Sequence, residues 1–386
     1  MAMETNNTPA LRFPGFAEEW EEKTLGEVFK TYSGGTPDTT KKKAYYGGTI
    51  PFIRSAEINK EETELFLTQE GLEKSSAKLV NKGDLLVALY GANSGDSAIA
   101  KINGAINQAV LCLQSENSNV FVQNFLQHNR ELITQKYLQG GQGNLSGEII
   151  KSIRVPFPSS KEQQKIADCL SSLDELITAA VERLEGLQQH KKGLLQRLFP
   201  CEGSNTPELR FAGFTGAWEE KTLGEVLSYI QPTPYIVDST VYDSAGIPVL
   251  TAGKTFVLGY TDEADGIFTN LPTIIFDDFT TESRYINFPF KVKSSAIKML
   301  TLKDDNNDLY FLYSLMSTID FTVGAHKRYW ISEFQNLIVS IPSLPEQRKI
   351  ASCLSSLDTL LEKQQERITL LKTHKKGLLQ QLFPNY

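Results

Sequence analysis

The chain contains two copies of one sequence frame. The segment Thr8–Val28 returns as Thr206–Val226, shifted by 198 positions from Pro9 to Pro207. A second block, Lys165–Pro200, recurs as Lys349–Pro384 with a shift of 184 positions. Between these blocks the two copies hardly resemble each other. Because self-similarity over most of a chain constrains its architecture before any local motif does, we expect one repeated frame that carries two different inserts.

Each copy of the second block has the pattern of one long helix. Apolar residues recur at steps of three and four with occasional skips, at Ile166, Cys169, Leu173, Leu176, Ala180, Leu187 and Leu194, and again at Ile350, Cys353, Leu357, Leu360, Leu371 and Leu378. Prolines stand before and after each pattern, as they do at helix ends. A single helix of this length would expose its stripe, so we predict that the two helices pair as an antiparallel coiled coil.

The inserts have a different pattern. Short apolar runs, such as Ile50–Ile53, Ala109–Leu113 and Ile247–Leu250, alternate with turn residues and predict strands. One helix is expected in each insert, at about residues 120–138 and 308–319. The whole pattern predicts an α+β protein with small mixed or antiparallel sheets and an internal pseudo-two-fold repeat.

The frame and the inserts divide the chain into four predicted parts. Residues 1–158 hold an N-terminal segment and the first insert domain, and residues 159–200 hold the first long helix. Residues 201–342 hold a linker and the second insert domain, and residues 343–386 hold the second long helix. The predicted joint between the halves is the polar segment 201–206.

The composition limits the classes of function. A formal net charge of −7 argues against a simple DNA-coating protein, because phosphate contacts by Lys and Arg supply most non-specific affinity. A sequence-reading protein stays compatible with this charge, since local basic patches or a partner subunit can supply positive charge. No apolar run approaches the roughly 18 residues that cross a bilayer, so we expect a cytoplasmic protein without a membrane partner.

Two short segments resemble parts of a nucleotide-binding loop and of a metal site, but neither matches the full pattern of such a site. The segment 252–255, Ala-Gly-Lys-Thr, resembles the end of a phosphate-binding loop, but Pro248 stands where that fingerprint requires glycine. The acidic residues Asp277, Asp278 and Glu282 suit a divalent ion, although acidic turn residues beside a strand are commoner than metal sites. The four cysteines have no spacing typical of a zinc site or a disulfide framework. We therefore expect no catalytic residue, cofactor or metal in this chain.

Three regions combine the residue types that contact nucleic acids. Lysines supply charge for phosphates, Gln and Asn suit adenine edges, and Arg and Lys suit guanine edges. The candidate residues of the first insert are Lys41, Lys42, Lys43, Tyr45, Tyr46, Gln142 and Asn144. Those of the second insert are Thr280, Thr281, Ser283, Arg284, Tyr285, Lys291, Lys293, His326, Lys327, Arg328 and Tyr329. The alternative is that these segments are unrelated solvated loops.

The repeat supports the prediction of DNA contact for one pair of loops, because these loops occupy equivalent positions in the two copies. The helical shift of 184 positions places Gln142 and Asn144 opposite the segment 326–329 of the second copy. Both segments precede the strand that leads into a long helix. Equivalent loops with unlike polar side chains are what two readers of different DNA sequences require.

The arrangement of two unlike inserts, each followed by a Pro-x-x-x-Glu-Gln segment at 158–163 or 342–347 and then by a repeated long helix, resembles the specificity subunit of type I restriction-modification systems. Pieces of the first insert, such as Gly34–Pro37 and Asn107–Ala109, are similar to one type of target-recognition domain in that family. The second insert departs from those pieces. Its segments 276–281 and 290–295 are similar to another type of target-recognition domain.

The resemblance implies a function without catalysis in this chain. Each insert would read one half of a split double-stranded DNA target, and the paired helices would hold the two readers at a fixed separation. Two methyltransferase subunits would methylate adenine with S-adenosylmethionine, and two restriction subunits that use ATP and Mg²⁺ could join them. The sequence lacks a tetrapeptide like the Asn-Pro-Pro-Phe of adenine methyltransferases, in agreement with a partner that performs the methyl transfer.

Two other classes of function compete with this interpretation. One is a self-contained nuclease or nucleotide-driven enzyme, which would cleave DNA or hydrolyse nucleotide as a purified chain. The other is a scaffold whose repeated domains bind protein or glycan, which duplex DNA would not displace.

Overall fold

The computed structural model describes residues 8–138, 144–201, 203–251, 255–323 and 328–384. The chain forms two compact units. Unit 1 comprises residues 1–180 and 367–386, and unit 2 comprises residues 181–366. Among the described residues, no helix has both the length and the apolar character to cross a bilayer.

Unit 1 combines short strands with short helices. Its strands are β1 (Glu21–Thr24), β2 (Lys30–Ser33), β3 (Tyr46–Ile53), β4 (Phe66–Leu67), β5 (Lys78–Val80), β6 (Leu85–Ala88), β7 (Ser97–Ile99), β8 (Gly104–Ile106), β9 (Val110–Gln114) and β10 (Arg154–Phe157). Its helices are α1 (Leu25–Val28), α2 (Lys42–Tyr45), α3 (Gln69–Glu73), α4 (Asn119–His128), α5 (Arg130–Leu138), α6 (Gly147–Ser152) and the first part of α7 (Ser160–Leu198).

Unit 2 has a similar composition of elements. Its strands are β11 (Glu219–Thr222), β12 (Leu227–Ile230), β13 (Ile247–Leu250), β14 (Val257–Thr261), β15 (Thr273–Asp277), β16 (Ser283–Ile286), β17 (Lys291–Val292), β18 (Ile297–Leu302) and β19 (Ile338–Ile341). Its helices are α8 (Leu223–Val226), α9 (Leu309–Met316), α10 (Tyr329–Ser332) and the first part of α11 (Leu344–Leu382).

Each unit contains the same antiparallel four-stranded sheet. The strand order is β2-β9-β6-β7 in unit 1 and β12-β18-β15-β16 in unit 2. Val87 of β6 pairs with Leu111 of β9, and Phe276 of β15 pairs with Lys298 of β18. A second sheet in each unit contains one parallel pair, β3 with β8 and β13 with β17. The α+β prediction with small mixed and antiparallel sheets is therefore confirmed.

The frame closes each insert with a two-stranded ribbon. Strand β1 pairs with β10, so that Glu21 lies opposite Phe157, and β11 pairs with β19, so that Glu219 lies opposite Ile341. The first strand of each ribbon belongs to the first repeated block, and the second strand leads into a long helix. Each insert therefore begins and ends at one ribbon.

The two long helices pair antiparallel inside each unit. Helices α7 and α11 have 39 residues each. In unit 1, Lys375 of α11 donates to Asp174 of α7 at 2.6 Å, and in unit 2, Lys191 of α7 forms an ion pair with Asp358 of α11. The two pairs occupy equivalent positions, because the shift of 184 converts Asp174 to Asp358 and Lys191 to Lys375. The predicted antiparallel pairing is confirmed.

The stripe that the helices bury agrees with the predicted one at Ile166, Leu173 and Ala180, which are buried, and differs from it at other positions. In α7, Leu170 is fully buried, Cys169 is only half-buried and Leu176 is 50% exposed. At the equivalent positions of α11, Leu354 is buried and Leu360 is 48% exposed. Cys169 and Leu170 are adjacent and both apolar, and Leu170 belongs to the hydrophobic core of unit 1 with Trp20 and Phe121. Tertiary packing therefore selects between the two positions.

The predicted helix over 120–138 is two helices. Helix α4 ends at His128, and the backbone N–H of Asn129 donates to the carbonyl of Phe125 at its C-cap. The Nδ2 of Asn129 also donates to the Phe125 carbonyl at 3.0 Å. A buried amide that satisfies the last turn of a helix competes with continuation of that helix, and α5 starts at Arg130.

Candidate nucleic-acid interface

A bidentate ion pair joins the first frame block to the start of each long helix. Arg12 donates to both carboxylate oxygens of Glu162 at 2.8 and 2.6 Å, and Arg210 donates to those of Glu346 at 2.7 Å. Glu162 and Glu346 are 1% and 2% exposed. The hydrogen bond to Glu162 raises the pKa of the Arg12 guanidinium. These carboxylates therefore have a structural role in the frame.

The glutamine after each of these glutamates holds the insert. Gln163 donates to the Pro158 carbonyl at 3.0 Å and to Oδ1 of Asn117 at 3.2 Å, and it accepts from the backbone N–H of Ser118, the N-cap of α4. Gln347 makes the equivalent contacts with Pro342, Asn307 and the backbone N–H of Asp308. The Pro-x-x-x-Glu-Gln segments thus fix the insert helices on the long helices.

An aromatic cluster completes the frame in each unit. In unit 1, Phe121 of α4 packs against Trp20 at 5.9 Å and Phe383 at 5.1 Å between ring centroids. In unit 2, Phe311 of α9 packs against Trp218 at 5.8 Å and Phe199 at 5.3 Å, also between centroids. Both tryptophans are 3% exposed, so they are packing anchors.

The inner strand of each four-stranded sheet ends in the same hydrogen-bonded geometry. After β6, Leu89 donates to the Ala109 carbonyl at 2.8 Å and accepts from the Leu145 backbone N–H at 3.0 Å. After β15, Asp278 donates to the Ala296 carbonyl at 2.9 Å and accepts from the Tyr329 backbone N–H at 2.9 Å. Two inserts of unlike sequence therefore bring three loops together at equivalent places.

We call these loops the strand-end surfaces. The strand-end surface of unit 1 comprises residues 90–95, 107–109 and 144, and that of unit 2 comprises residues 279–282, 294–296 and 328. In unit 1, the backbone N–H of Gly91 donates to Oδ1 of Asn144 at 3.3 Å. In unit 2, Arg328 donates to Oγ of Ser295 at 3.2 Å. Asn144 and Arg328 are exposed and are related by the repeat shift of 184, as the sequence predicted for these loops.

The acidic residues of unit 2 shape its strand-end surface. Oδ1 of Asp277 accepts from the backbone N–H groups of Phe279 at 2.7 Å and Thr280 at 3.0 Å, which closes the turn after β15. Asp278 is 1% exposed, accepts from the Trp330 backbone N–H at 2.9 Å and pairs with the buried Lys298 at 3.5 Å. In the described parts of the chain, no group of three His, Cys, Asp or Glu residues has a geometry that could hold a metal ion.

The candidate residues of the first insert lie in different surroundings. Lys41 and Lys43 are exposed, and the Lys41 ammonium lies 5.6 Å from the centroid of the Tyr45 ring. The Tyr46 hydroxyl donates to the Pro37 carbonyl at 3.0 Å. Lys42 begins α2. Gln142 lies outside the described residues.

The candidates around β16 of unit 2 are partly engaged in packing. Thr280 and Thr281 lie in the turn before this strand, and Thr281 has a φ of 60°. Ser283 is half-buried, and the exposed Arg284 stacks over the Phe256 ring at 4.9 Å. The ring of Tyr285 packs against Tyr310 at 5.0 Å between centroids, and burial raises the pKa of Tyr285.

The remaining candidates of unit 2 follow β16 in sequence. Lys293 donates to the Tyr242 hydroxyl at 2.8 Å. His326 and Lys327 lie outside the described residues.

Three candidate side chains belong to the interior. Tyr45 is 4% exposed, Lys291 is 3% exposed and Tyr329 is 1% exposed. Lys291 forms an ion pair with Glu263 at 2.5 Å and donates to the Asp265 carbonyl. Because a buried side chain cannot reach a ligand without local rearrangement, the structure assigns these three side chains to packing, which their residue types alone did not indicate.

The chain is similar in sequence to specificity proteins of type I restriction-modification systems. The model of the type I restriction modification DNA specificity domain matches residues 17–189 and 216–372. The chain is 46% identical to the type I restriction enzyme EcoR124I/EcoR124II specificity subunit of Escherichia coli over 147 residues, which is 36% of each chain. It is 26% identical to the MjaIX specificity subunit of Methanocaldococcus jannaschii over 95% of this chain and 93% of that one.

Solved structures show the same fold. The S subunit of a type I restriction-modification system from M. genitalium superposes with a TM-score of 0.68 at 18% identity, covering 98% of this chain and 100% of that one. A chain from a study of complex assembly in the type I system superposes with a TM-score of 0.55 at 15% identity, over 96% of this chain and 99% of that one.

Proposed function

This chain belongs to the family of type I restriction-modification DNA specificity proteins, and we propose that each of its units reads one half of a bipartite DNA target. Specificity subunits recognise the DNA target of a type I system and leave the chemistry to other subunits. The observation that carries the proposal is the pair of strand-end surfaces. They have equivalent backbone geometry and unlike side chains, which suits two readers of different half-sites.

The side chains at the equivalent positions favour different bases. Asn144 offers the amide that pairs with an adenine edge, and Arg328 offers the guanidinium that pairs with guanine. Both are exposed beside a turn that backbone hydrogen bonds fix at its base. Lys41 and Lys43, which are exposed on unit 1, suit phosphate contacts that set position without reading sequence.

Partner subunits supply the chemistry in this proposal. Two methyltransferase subunits carry S-adenosylmethionine and methylate adenine, and two restriction subunits carry ATP and Mg²⁺. This chain holds no cofactor and directs these subunits to the target. In this proposal the paired helices α7 and α11 set the separation of the readers, and equivalent ion pairs, Asp174–Lys375 and Lys191–Asp358, join the two helices within each unit.

Reconstitution with the cognate methyltransferase subunit tests the proposal. We expect the isolated chain to bind duplex DNA weakly, because its formal charge is −7 and phosphate contacts dominate non-specific affinity. Addition of the methyltransferase should give specific binding and adenine methylation at a two-part sequence. Methyl transfer, DNA cleavage or nucleotide hydrolysis by the purified chain would contradict the proposal, as would a bound protein or glycan that duplex DNA does not displace.

A further inference from the structure

An aromatic ring occupies the same position at the strand-end surface of each unit. Tyr90 is the second residue after β6, and Phe279 is the second residue after β15. Tyr90 is 40% exposed and Phe279 is 41% exposed. The repeat does not explain this match, because the segments 90–95 and 279–282 share no sequence.

The backbone holds both rings in place. The residue before each ring is buried, with Leu89 at 3% and Asp278 at 1% exposure. Each of these two residues is hydrogen-bonded on both sides, to Ala109 and Leu145 in unit 1 and to Ala296 and Tyr329 in unit 2. Asp277 also caps the turn that carries Phe279. The two rings are therefore presented from fixed strand ends.

A residue proposed to read a base is connected by a hydrogen bond of its own or of its neighbour to the residue next to each ring. Asn144 accepts from Gly91, the neighbour of Tyr90, at 3.3 Å. Arg328 precedes Tyr329, whose N–H donates to Asp278, the neighbour of Phe279. A single exposed aromatic residue is ordinary, but two at equivalent positions, each next to an exposed polar side chain of the recognition loops, indicate a common ligand.

The charges around the unit 2 ring favour DNA as that ligand. In unit 1, Arg130 lies at the base of the turn, where it donates to the Ser94 carbonyl at 3.3 Å and forms an ion pair with Asp96 at 2.9 Å. In unit 2, Arg328 and Arg284 are exposed on either side of the turn that carries Phe279. In such an arrangement the guanidinium groups can contact the DNA phosphates while the exposed ring contacts the stacked bases.

We propose that Tyr90 and Phe279 are wedge residues that pack against the base stack of the DNA half-site read by their own unit. Stacking on a base requires the face of an aromatic ring and no hydrogen bond. The Tyr ring of one unit and the Phe ring of the other can therefore both stack on a base. The neighbouring Asn144 and Arg328 then contact base edges and differ because the half-sites differ. This inference rests on the proposed function.

The experiment uses the full chain assembled with its methyltransferase subunit. The probe is a duplex that carries the target sequence, with 2-aminopurine placed in turn at each position of either half-site except the adenine that becomes methylated, because a methyltransferase flips that base out of the stack with or without a wedge. We expect wild-type binding to raise 2-aminopurine fluorescence in both halves, because a wedge unstacks its neighbouring base. Phe279→Ala should abolish the rise in one half only, Tyr90→Ala should abolish it in the other, and each should weaken binding about tenfold to a hundredfold.

Conservative and distant variants separate the wedge from a structural role. Phe279→Trp and Tyr90→Phe should keep the fluorescence rise and the affinity. Leu79→Ala and Val241→Ala remove other exposed apolar side chains, 55% and 78% exposed, and should change neither. The denaturation midpoints of the alanine variants should equal that of the wild type.

The possible failures are distinct. Wild-type fluorescence and affinity in Phe279→Ala and Tyr90→Ala would overturn the wedge and leave the proposed function intact. A lowered midpoint, or loss of the rise in both halves from one variant, would also overturn it, because the ring would then act through folding. If the wild-type assembly bound no sequence specifically, the proposed function itself would fail.

Discussion

Replacing Asp278 with leucine is expected to destabilise unit 2 by about 3–5 kcal/mol, because it leaves the Lys298 ammonium buried without a carboxylate, in contact with the Tyr229 ring. Asp278 and Lys298 are 1% and 2% exposed, and their charged atoms lie 3.5 Å apart. Lys298→Leu should cost a similar amount by leaving the carboxylate unpaired. The free energy of unfolding, measured by chemical denaturation, reports both effects.

Unit 1 shows what the double variant should do. There, Leu89 follows the inner strand as Asp278 does, and Leu111 lies opposite Val87 as Lys298 lies opposite Phe276. Asp278→Leu with Lys298→Leu therefore copies an apolar pair that this fold already contains. We expect the double variant to recover most of the stability and to remain about 1–2 kcal/mol below wild type, because the Trp330 N–H loses its acceptor. A double variant as unstable as the two single effects combined would contradict this account of the pair.

Removal of the Arg12 side chain is the second large effect. Arg12→Met leaves Glu162, which is 1% exposed, without the guanidinium that binds both its oxygens. We expect a loss of about 3 kcal/mol in the free energy of unfolding, within the range for breaking a buried pair. Arg210→Met should have a similar effect through Glu346 in unit 2. The measurement is again chemical denaturation.

The chain supplies a matched control for the frame ion pair. Arg154 pairs with Glu22 at 2.7 Å on the surface of unit 1, with its side chain 70% exposed. Arg154→Met should cost less than about 1 kcal/mol, because solvent screens exposed pairs. Equal losses from Arg12→Met and Arg154→Met would show that burial of Glu162 does not determine the strength of the frame contact.

The regular parts of the fold could be predicted from sequence. The long helices follow from apolar periodicity and flanking prolines, and their pairing follows from the need to cover two stripes. Choosing Leu170 over Cys169 required the packed core of unit 1, because both residues are apolar and adjacent. Lys291 and Tyr329 were predicted at the surface because residue type alone does not reveal that Glu263 neutralises Lys291 and that Tyr329 packs against Phe321.

The sequence predicted only part of the candidate site. The shift of 184 correctly matched Asn144 with Arg328, because both lie at a constant distance from the following helix. Tyr90 and Phe279 lie 189 positions apart, since the inserts differ in length before those loops. The equivalent strands β6 and β15 and the hydrogen bonds of Leu89 and Asp278 align them, and no sequence repeat does so.

The most direct test of the central claim, that each unit reads one half of the target, is an exchange of recognition domains. The insert 24–158 is replaced by the corresponding domain of another specificity subunit, and methylated adenines are mapped across a genome for both chains in the presence of the methyltransferase. The account predicts a new sequence in one half of the target and an unchanged sequence in the other. A simultaneous change of both halves, in a folded and active variant, would contradict it.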